Sequence, residues 1–164
     1  MEFELTVSPL SEADLPLILE IELESQPEPW SEKSFLEEIH RGNASLLGAR
    51  VQAPAGAVAE PDEIAGFICF WSVDEEIQIL NLAVRKTMRR MGIARKLIET
   101  AVRTGFEQHA RFASLEVRKS NLAARRLYES FGFKIVGERR NYYGVQRESA
   151  ILMQLDLASQ KQGD

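Results

Sequence analysis

The chain has 164 residues, of which 45% are apolar and 27% charged, with a formal net charge of −5. This length and apolar content suit one domain with a single core, since domains most often hold about 100–150 residues. The negative charge argues against generic nucleic-acid binding, which needs clustered cations facing phosphates. No stretch approaches the ~20 apolar residues of a membrane span, and the start lacks a signal-peptide pattern, so we predict a soluble, cytoplasmic protein.

The first half of the chain predicts one strand, two helices and three further strands. A capping-box pattern begins the first helix at Ser11, and Ser31 caps the second. Leu15, Ile18 and Leu19 form the expected apolar stripe of the first helix, with Leu23 as a further candidate. The last two strands are almost continuously apolar, which indicates burial on both faces. The expected ranges are strand 3–7, helices from 11 and from 31, strands 46–51, 64–73 and 77–84, and an exposed loop over 53–62.

A run of glutamates accompanies these two helices, and Cys69 lies in the strand expected at 64–73. The acidic run has two interpretations, a solvated helix face or an acidic rim that attracts a basic substrate. A single cysteine cannot form an internal disulfide, and we expect Cys69 to be a buried strand residue rather than a nucleophile. The acidic residues are Glu20, Glu22, Glu24, Glu28, Glu32, Glu37 and Glu38.

The second half predicts a helix, a strand, a second helix and two closing strands. Ile93, Leu97 and Ala101 repeat every four residues in the long helix, and Gly132 ends the shorter one. The element order βαα-βββ-αβ-αββ indicates an α/β fold with a mixed sheet of about seven strands and four helices. The expected ranges are helix 92–109, strand 112–117, helix 121–131 and strands 134–136 and 149–155, followed by a polar tail over 158–164.

A basic turn separates the strand ending at Val84 from the helix beginning near Gly92. A helix N-terminus presents unpaired N–H groups and about half a positive charge, which suits a phosphate group. Gly92 allows the backbone to approach an anion closely. The alternative is an ordinary basic loop, because the turn matches neither a P-loop nor a dinucleotide fingerprint. The cations that add to the field here are Arg85, Lys86, Arg89, Arg90 and Arg95.

Three segments occur in a fixed order, ILNLAV, then RRMGIA, then SLEVRKSNLAARRLYESFGF. With PWSEKSF near the start and RRNYY after the last helix, they resemble the GNAT acetyltransferases, most of all the RimI-type ribosomal-protein alanine N-acetyltransferases. The resemblance spans roughly residues 3–157. It implies a single GNAT domain over 1–157, a sheet splayed between the fourth and fifth strands, and acetyl-CoA as cosubstrate.

The resemblance also implies which residues bind acetyl-CoA. The backbone of Leu82, Ala83 and Val84 would bind the pantetheine arm and the acetyl group, and Asn121 would hydrogen-bond the pantetheine. Many family members have glycine where Ala94 stands, and alanine is a common substitute. The residues that would cradle the pyrophosphate are Arg89, Arg90, Met91, Gly92, Ile93, Ala94 and Arg95.

Glu116 and Tyr128 are the candidate base and acid. Strand alternation places Glu116 beside Ser114 in an otherwise apolar strand, where a carboxylate is unfavourable unless it is paired or used. Its alternative is a buried ion pair with an arginine. Spacing alone favours a core position for Tyr128. The resemblance implies that Glu116 is the general base, acting through water, and that Tyr128 protonates the departing thiolate.

An α-amine has a pKa of about 7.7–8.0 against about 10.4 for lysine, so far more of it is neutral and nucleophilic at pH 7. The resemblance implies the N-terminal alanine of a basic small-subunit ribosomal protein as acceptor. Trp30, Tyr142 and Tyr143 are candidates for the peptide groove, with hydrophobic packing as the alternative for Trp30. No cluster has metal-ligand spacing, so no metal is expected.

Two other function classes stay open. One is acetylation of a small amine or a lysine side chain. The other is a non-catalytic acyl-CoA-binding module, which would need neither Glu116 nor Tyr128. We further expect a monomer or a weak dimer, with no direct contact to nucleic acid or membrane.

Overall fold

The computed structural model describes residues 4–52, 63–143 and 148–158, with residues 141–143 described by their backbone. Within these ranges the elements follow the predicted order βαα-βββ-αβ-αββ. The loop expected over 53–62 and residues 159–164 of the expected tail lie outside the described residues. The elements are β1 Glu4–Pro9, α1 Leu15–Ser25, α2 Glu32–His40, β2 Ala44–Gln52, β3 Glu63–Val73, β4 Glu76–Val84, α3 Ile93–Glu107, β5 Phe112–Arg118, α4 Leu122–Ser130, β6 Lys134–Tyr143 and β7 Glu148–Asp156.

The strands form one mixed sheet in the order β1-β2-β3-β4-β5-β7-β6. β1 and β2, β5 and β7, and β6 and β7 pair antiparallel, whereas β4 and β5 pair in parallel. The parallel ladder runs from Glu76 opposite Phe112 to Ile79 opposite Leu115. β4 continues beyond it to Val84 and β5 to Arg118. The predicted fold class, a mixed sheet of about seven strands with four helices, is confirmed in the described residues. The splay between the fourth and fifth strands stays a prediction.

The chain divides into two compact units, Met1–Phe70 with Asn81–Thr100 and Trp71–Leu80 with Ala101–Asp164. Phe35, Phe67 and Ile18 are among the fully buried side chains of the first unit. Phe133 and Met153 are buried in the second unit. A single domain over 1–157 therefore stays a prediction. None of the helices in the described ranges has the length and apolar content needed to cross a membrane.

Burial departs from the expected pattern in two elements, β4 and α1. Every residue of β3 from Ile64 to Phe70 is buried, as predicted, but β4 alternates between buried and half-buried positions. In α1 the buried face holds Leu15, Ile18, Ile21 and Glu22, while Leu19 is half-buried. The expected stripe was wrong at Leu19 and at the exposed Leu23, because the helix turns its Ile21–Glu22 edge inward instead.

The predicted helix starts are confirmed, with one refinement. The Ser11 N–H donates to the Asp14 carboxylate over 2.9 Å, and a single 3₁₀ turn over Glu12–Asp14 precedes α1. The Ser34 N–H donates to the Ser31 hydroxyl over 3.2 Å, which caps α2. In the second unit, the Ala124 N–H donates to the Asn121 side-chain oxygen over 3.2 Å at the start of α4.

β6 is the element whose length the sequence predicts least well. It runs over ten residues, Lys134–Tyr143, against the three expected. Its register against β7 shifts between Ile135 and Gly137 and again between Arg139 and Tyr143. The charged residues after Gly137 gave no apolar alternation, and β6 lies at the edge of the sheet, where a strand needs little apolar surface. The expected end at 136 was therefore too early.

Candidate active site

The turn between β4 and α3 has a backbone conformation suited to an anion. This segment begins with a 3₁₀ turn over Lys86–Met88 and ends where α3 begins, at Ile93. Arg90 and Gly92 have φ angles of 66° and 82°, in the left-handed region. A Cβ built on Gly92 would meet no atom within 4 Å. The backbone angle, and not crowding, is therefore what favours glycine here, and the space beside it is open.

The first turn of α3 adds hydrogen-bond donors to this open space. The Lys96 N–H donates to the Gly92 carbonyl over 3.0 Å, which begins the helical ladder. N–H groups that precede the first helical bond have no acceptor within the helix. Ile93 is buried and anchors the turn, Ala94 is half-buried, and the Arg89 and Arg90 residues are exposed, as is Arg95 one turn later. The turn 89–95 thus joins helix N–H groups to exposed cationic residues.

Arg85 does not belong to this set of cations. It is only 7% exposed, and its Nε donates to the Ile64 carbonyl over 3.0 Å. Its Nη1 lies 2.8 Å from a carboxylate oxygen of Glu20, and Glu63 lies within 3.5 Å of its Nε. The expectation that Arg85 contributes to the phosphate field was wrong, because this guanidinium is buried and balanced by carboxylates. Lys86 contributes its backbone N–H to Glu24 over 2.9 Å, and the residue itself is exposed.

The end of β4 lies close against β3 at the predicted acetyl-binding backbone. Ala83 is buried, and Leu82 and Val84 are half-buried. A Cβ built on Gly66 of β3 would lie 2.6 Å from the Ala83 carbonyl oxygen. Only glycine permits this close approach. Gly66 thus shapes the backbone at 82–84, and sequence reasoning missed it, although a glycine inside a strand is a known sign of close backbone packing.

In the second unit, Glu116 lies on the same side of β5 as Ser114 and Arg118. Its side chain is 30% exposed, and its Oε1 lies 3.0 Å from Nη2 of Arg139 on β6. The alternative raised by the sequence, an ion pair with an arginine, is therefore present, but it is not buried. Because such exposed pairs stabilise a fold by only about 0–1 kcal/mol, the pair gives Glu116 no strong structural reason to stand in this strand.

Tyr128 and Asn121 both lie on the α4 segment of the second unit. Tyr128 is 7% exposed, and its ring centre lies 5.6 Å from that of Phe133 in an edge-on arrangement. This packing agrees with the core position that spacing alone predicts. Asn121 is exposed and caps α4. Their roles as acid and as pantetheine ligand stay predictions.

The predicted peptide-groove residues divide between the two units. Trp30, in the first unit, is half-buried, and its ring centre lies 5.3 Å from that of Phe35. The packing alternative for Trp30 is thus present as well. Tyr142 and Tyr143 lie in β6, and their side chains fall outside the described residues.

The sequence interpretation placed two glutamates of the acidic run wrongly. Glu22 is 0% and Glu38 8% exposed, so neither belongs to a solvated helix face or an acidic rim. The Glu22 Oε2 accepts the Trp30 N–H over 3.0 Å and the Asn81 side-chain amide over 2.9 Å. Burial raises its pKa above the usual glutamate value, and the two hydrogen bonds act in the opposite direction. The available signal was its spacing, seven residues after Leu15 and four after Ile18, two buried positions of the same helix.

The thiol of Cys69 is unsuited to nucleophilic catalysis. Cys69 is buried, as predicted, and burial raises the pKa of its thiol to about 12, so it is a poor nucleophile. Among the described residues, no three His, Cys, Asp or Glu side chains are grouped as metal ligands.

A sequence model of the acetyltransferase (GNAT) family matches residues 15–133. The chain belongs to this family. The predicted enzyme class, an N-acetyltransferase, is confirmed with it, and so is the predicted resemblance. Ribosomal protein bS18-alanine N-acetyltransferase of Salmonella typhimurium is 36% identical over 155 residues, which cover 93% of this chain and 98% of that relative.

Solved structures agree with this membership. The crystal structure of the ribosomal-protein-S18-alanine N-acetyltransferase from Escherichia coli matches with a TM-score of 0.82 and 32% identity, over 98% of this GNAT chain and 99% of that one. The structure of Ard1 from Thermoplasma volcanium matches with a TM-score of 0.79 and 26% identity, over 93% and 97% of the two chains. The similarity thus extends over nearly the whole fold.

Proposed function

We propose that this GNAT chain transfers acetyl from acetyl-CoA to the N-terminal alanine of a ribosomal protein. The observation that carries the proposal is the 36% identity to the Salmonella enzyme over 93% of this chain. A short shared motif would indicate only a common cofactor, whereas similarity over the whole length includes the segments outside the cofactor turn. A basic small-subunit ribosomal protein and a cytoplasmic location belong to the same proposal.

The turn at 89–95 is the proposed pyrophosphate site. Three features support it: N–H groups of the first turn of α3, the left-handed backbone at Gly92, and the exposed residues Arg89, Arg90 and Arg95. Helix N-terminal N–H groups and arginines both bind phosphate oxygens, the latter with charge-assisted hydrogen bonds. The backbone of Leu82, Ala83 and Val84 and the Asn121 side chain would hold the pantetheine arm.

Acetyl transfer then needs one proton accepted and one donated. The lone pair of the neutral α-amine attacks the thioester carbonyl carbon, a carbon–nitrogen bond forms, and the carbon–sulfur bond breaks. In this proposal Glu116 accepts, through water, the proton that the amine nitrogen loses. Tyr128 donates its phenolic proton to the departing thiolate. Proton exchange with solvent restores both residues, so the step balances without a covalent acetyl-enzyme.

The acceptor would bind beside Trp30, Tyr142 and Tyr143. A net charge of −5 on the chain suits a basic protein as partner, because complementary charge raises the rate of encounter. The low pKa of α-amines relative to lysine favours a protein N-terminus at neutral pH.

Steady-state rates with four acceptors test the proposal. We expect turnover of a basic hexapeptide that begins with alanine, and little turnover of the same peptide with its N-terminus blocked and an internal lysine free. Spermidine and an aminoglycoside represent the small-amine alternative. No turnover with the free peptide, or faster turnover of a small amine, contradicts the proposal. Acetyl-CoA binding without turnover of any acceptor favours the non-catalytic alternative.

A further inference from the structure

The buried Glu22 and Asn81 and the half-buried Gln26 link α1 to β4 and to the loop between α1 and α2. The Glu22 carboxylate accepts both the Trp30 N–H and the Asn81 side-chain amide through the same oxygen, Oε2. The Gln26 side-chain amide donates to the Asn81 side-chain oxygen over 2.9 Å and reaches the Leu82 carbonyl at 3.4 Å. All of these residues lie in the first unit.

These contacts hold the loop at both of its ends. Gln26 follows the last residue of α1, and its N–H donates to the Glu22 carbonyl over 3.0 Å. Trp30 lies one residue before the Ser31 cap of α2. Pro27 and Pro29 restrict the backbone between them. The loop 26–30 is therefore fixed to β4 at Asn81 and Leu82, directly beside the backbone proposed to bind the acetyl group.

Glu22 is an unfavourable choice for stability alone. It is fully buried, and its second oxygen, Oε1, has no hydrogen-bond partner among the described residues. A buried polar atom without a partner destabilises a fold by about 1–3 kcal/mol. An apolar side chain would suit this face of α1, next to Ile18 and Ile21, better. Its other oxygen, Oε2, instead joins the Trp30 N–H of the loop to the Asn81 side-chain amide of β4.

We propose that Glu22 is a positioning residue for the acceptor. Together with Asn81 and Gln26, it holds the loop 26–30, and with it Trp30, against the end of β4. The loop binds the acceptor only if the proposed function holds, so this inference rests on that function. Because Glu22 is fully buried, it would touch neither the acetyl group nor the amine. It acts through the backbone of Trp30, and its loss changes acceptor binding more than the chemical step.

Glu22→Gln and Glu22→Ala separate positioning from charge. A glutamine oxygen at the place of Oε2 can accept the same two hydrogen bonds, and its amide would stand where Oε1 has no partner. We expect Glu22→Gln to keep the wild-type KM for the alanine hexapeptide. Glu22→Ala should raise that KM by about tenfold to a hundredfold, the equivalent of the two lost buried hydrogen bonds, with kcat and the KM for acetyl-CoA close to wild type.

Hydrogen exchange of the Trp30 amide, followed by NMR, gives a measurement that needs no substrate. The Trp30 amide should exchange slowly in the wild type and in Glu22→Gln, and at least about tenfold faster in Glu22→Ala. Glu107→Ala is the matched control, because it removes an exposed acidic residue at the end of α3 and should change neither KM nor exchange. Gln26→Ala replaces Glu22→Ala if that variant does not fold, and should raise the peptide KM less.

Unchanged peptide KM and unchanged Trp30 exchange in the alanine variants overturn the inference. So does a Glu22→Gln variant that behaves like Glu22→Ala, since the acceptor oxygen would then not be the decisive feature. Equal increases in the KM for peptide and for acetyl-CoA also overturn it, because they indicate a general loss of structure. If the wild type acetylates no peptide, the proposed function fails instead, and amide exchange alone decides whether Glu22 holds the loop.

Discussion

The turn at 89–95, proposed to bind the cofactor, and the β5–α4 segment over 112–130, proposed to transfer protons, depend on different parts of the chain. The turn depends on its backbone, namely a left-handed glycine and the first N–H groups of a helix. The β5–α4 segment depends on two side chains, a partly exposed glutamate in an ion pair and a buried tyrosine packed on Phe133. Backbone conformation follows from local sequence, whereas the use of a side chain depends on what surrounds it. The turn was therefore easier to predict.

The largest expected effect tests the role of the Glu116 side chain as general base. Glu116→Gln should lower kcat/KM by about 10²–10⁴, the usual contribution of a general base, in steady-state assays with the alanine hexapeptide. Arg139→Gln removes the other member of the ion pair and is the matched control. If Glu116 served only to form the ion pair with Arg139, the two variants would lose similar activity and similar stability.

Tyr128→Phe should lower kcat by about a hundredfold, because it removes a proton donor that acts only in the transition state. Its packing against Phe133 is kept, so calorimetry should give nearly unchanged acetyl-CoA affinity. Wild-type rates in this variant would assign Tyr128 to the core alone.

Arg85→Ala and Arg89→Ala distinguish a structural cation from a ligand-binding one. Arg85→Ala should lower the free energy of unfolding by about 1–3 kcal/mol, since it leaves the Ile64 carbonyl without its buried donor. Arg89 is exposed, so Arg89→Ala should leave urea unfolding unchanged and weaken acetyl-CoA binding. The reverse pattern would return Arg85 to the phosphate site.

Gly92→Ala should produce the smallest effect, and it tests the role of the left-handed backbone in the turn at 89–95. At a φ of 82° an added Cβ introduces strain of about 1–2 kcal/mol, so the acetyl-CoA binding constant or the folding equilibrium constant should fall by up to about thirtyfold. Gly42→Ala is the matched control, because its Cβ would also enter open space but its φ is not left-handed. Equal behaviour of the two variants in calorimetry would show that the left-handed turn is not used.

The sequence predicted those features that local chemistry determines. The capping residues Ser11 and Ser31 and the glycine stop after α4 are where the pattern placed them, since each satisfies a helix end within a few residues. The fold followed from the same local signals together with the resemblance.

Features that depend on distant partners were not predictable in this way. Arg85 stands among exposed cations in sequence but is paired with Glu20, which lies 65 positions away. Glu22 stands in a run of glutamates but meets Asn81, 59 positions away. Both were assigned to the surface because charge alone favours the surface. Only the tertiary structure shows the groups that offset their burial.

The most direct test of the central claim is a mass-spectrometric comparison of protein N-termini in cells with and without this protein. We predict that one ribosomal protein with an N-terminal alanine loses its acetyl group when the protein is absent, and regains it with the wild-type chain but not with Glu116→Gln. Unchanged acetylation of every alanine N-terminus would contradict the proposed function.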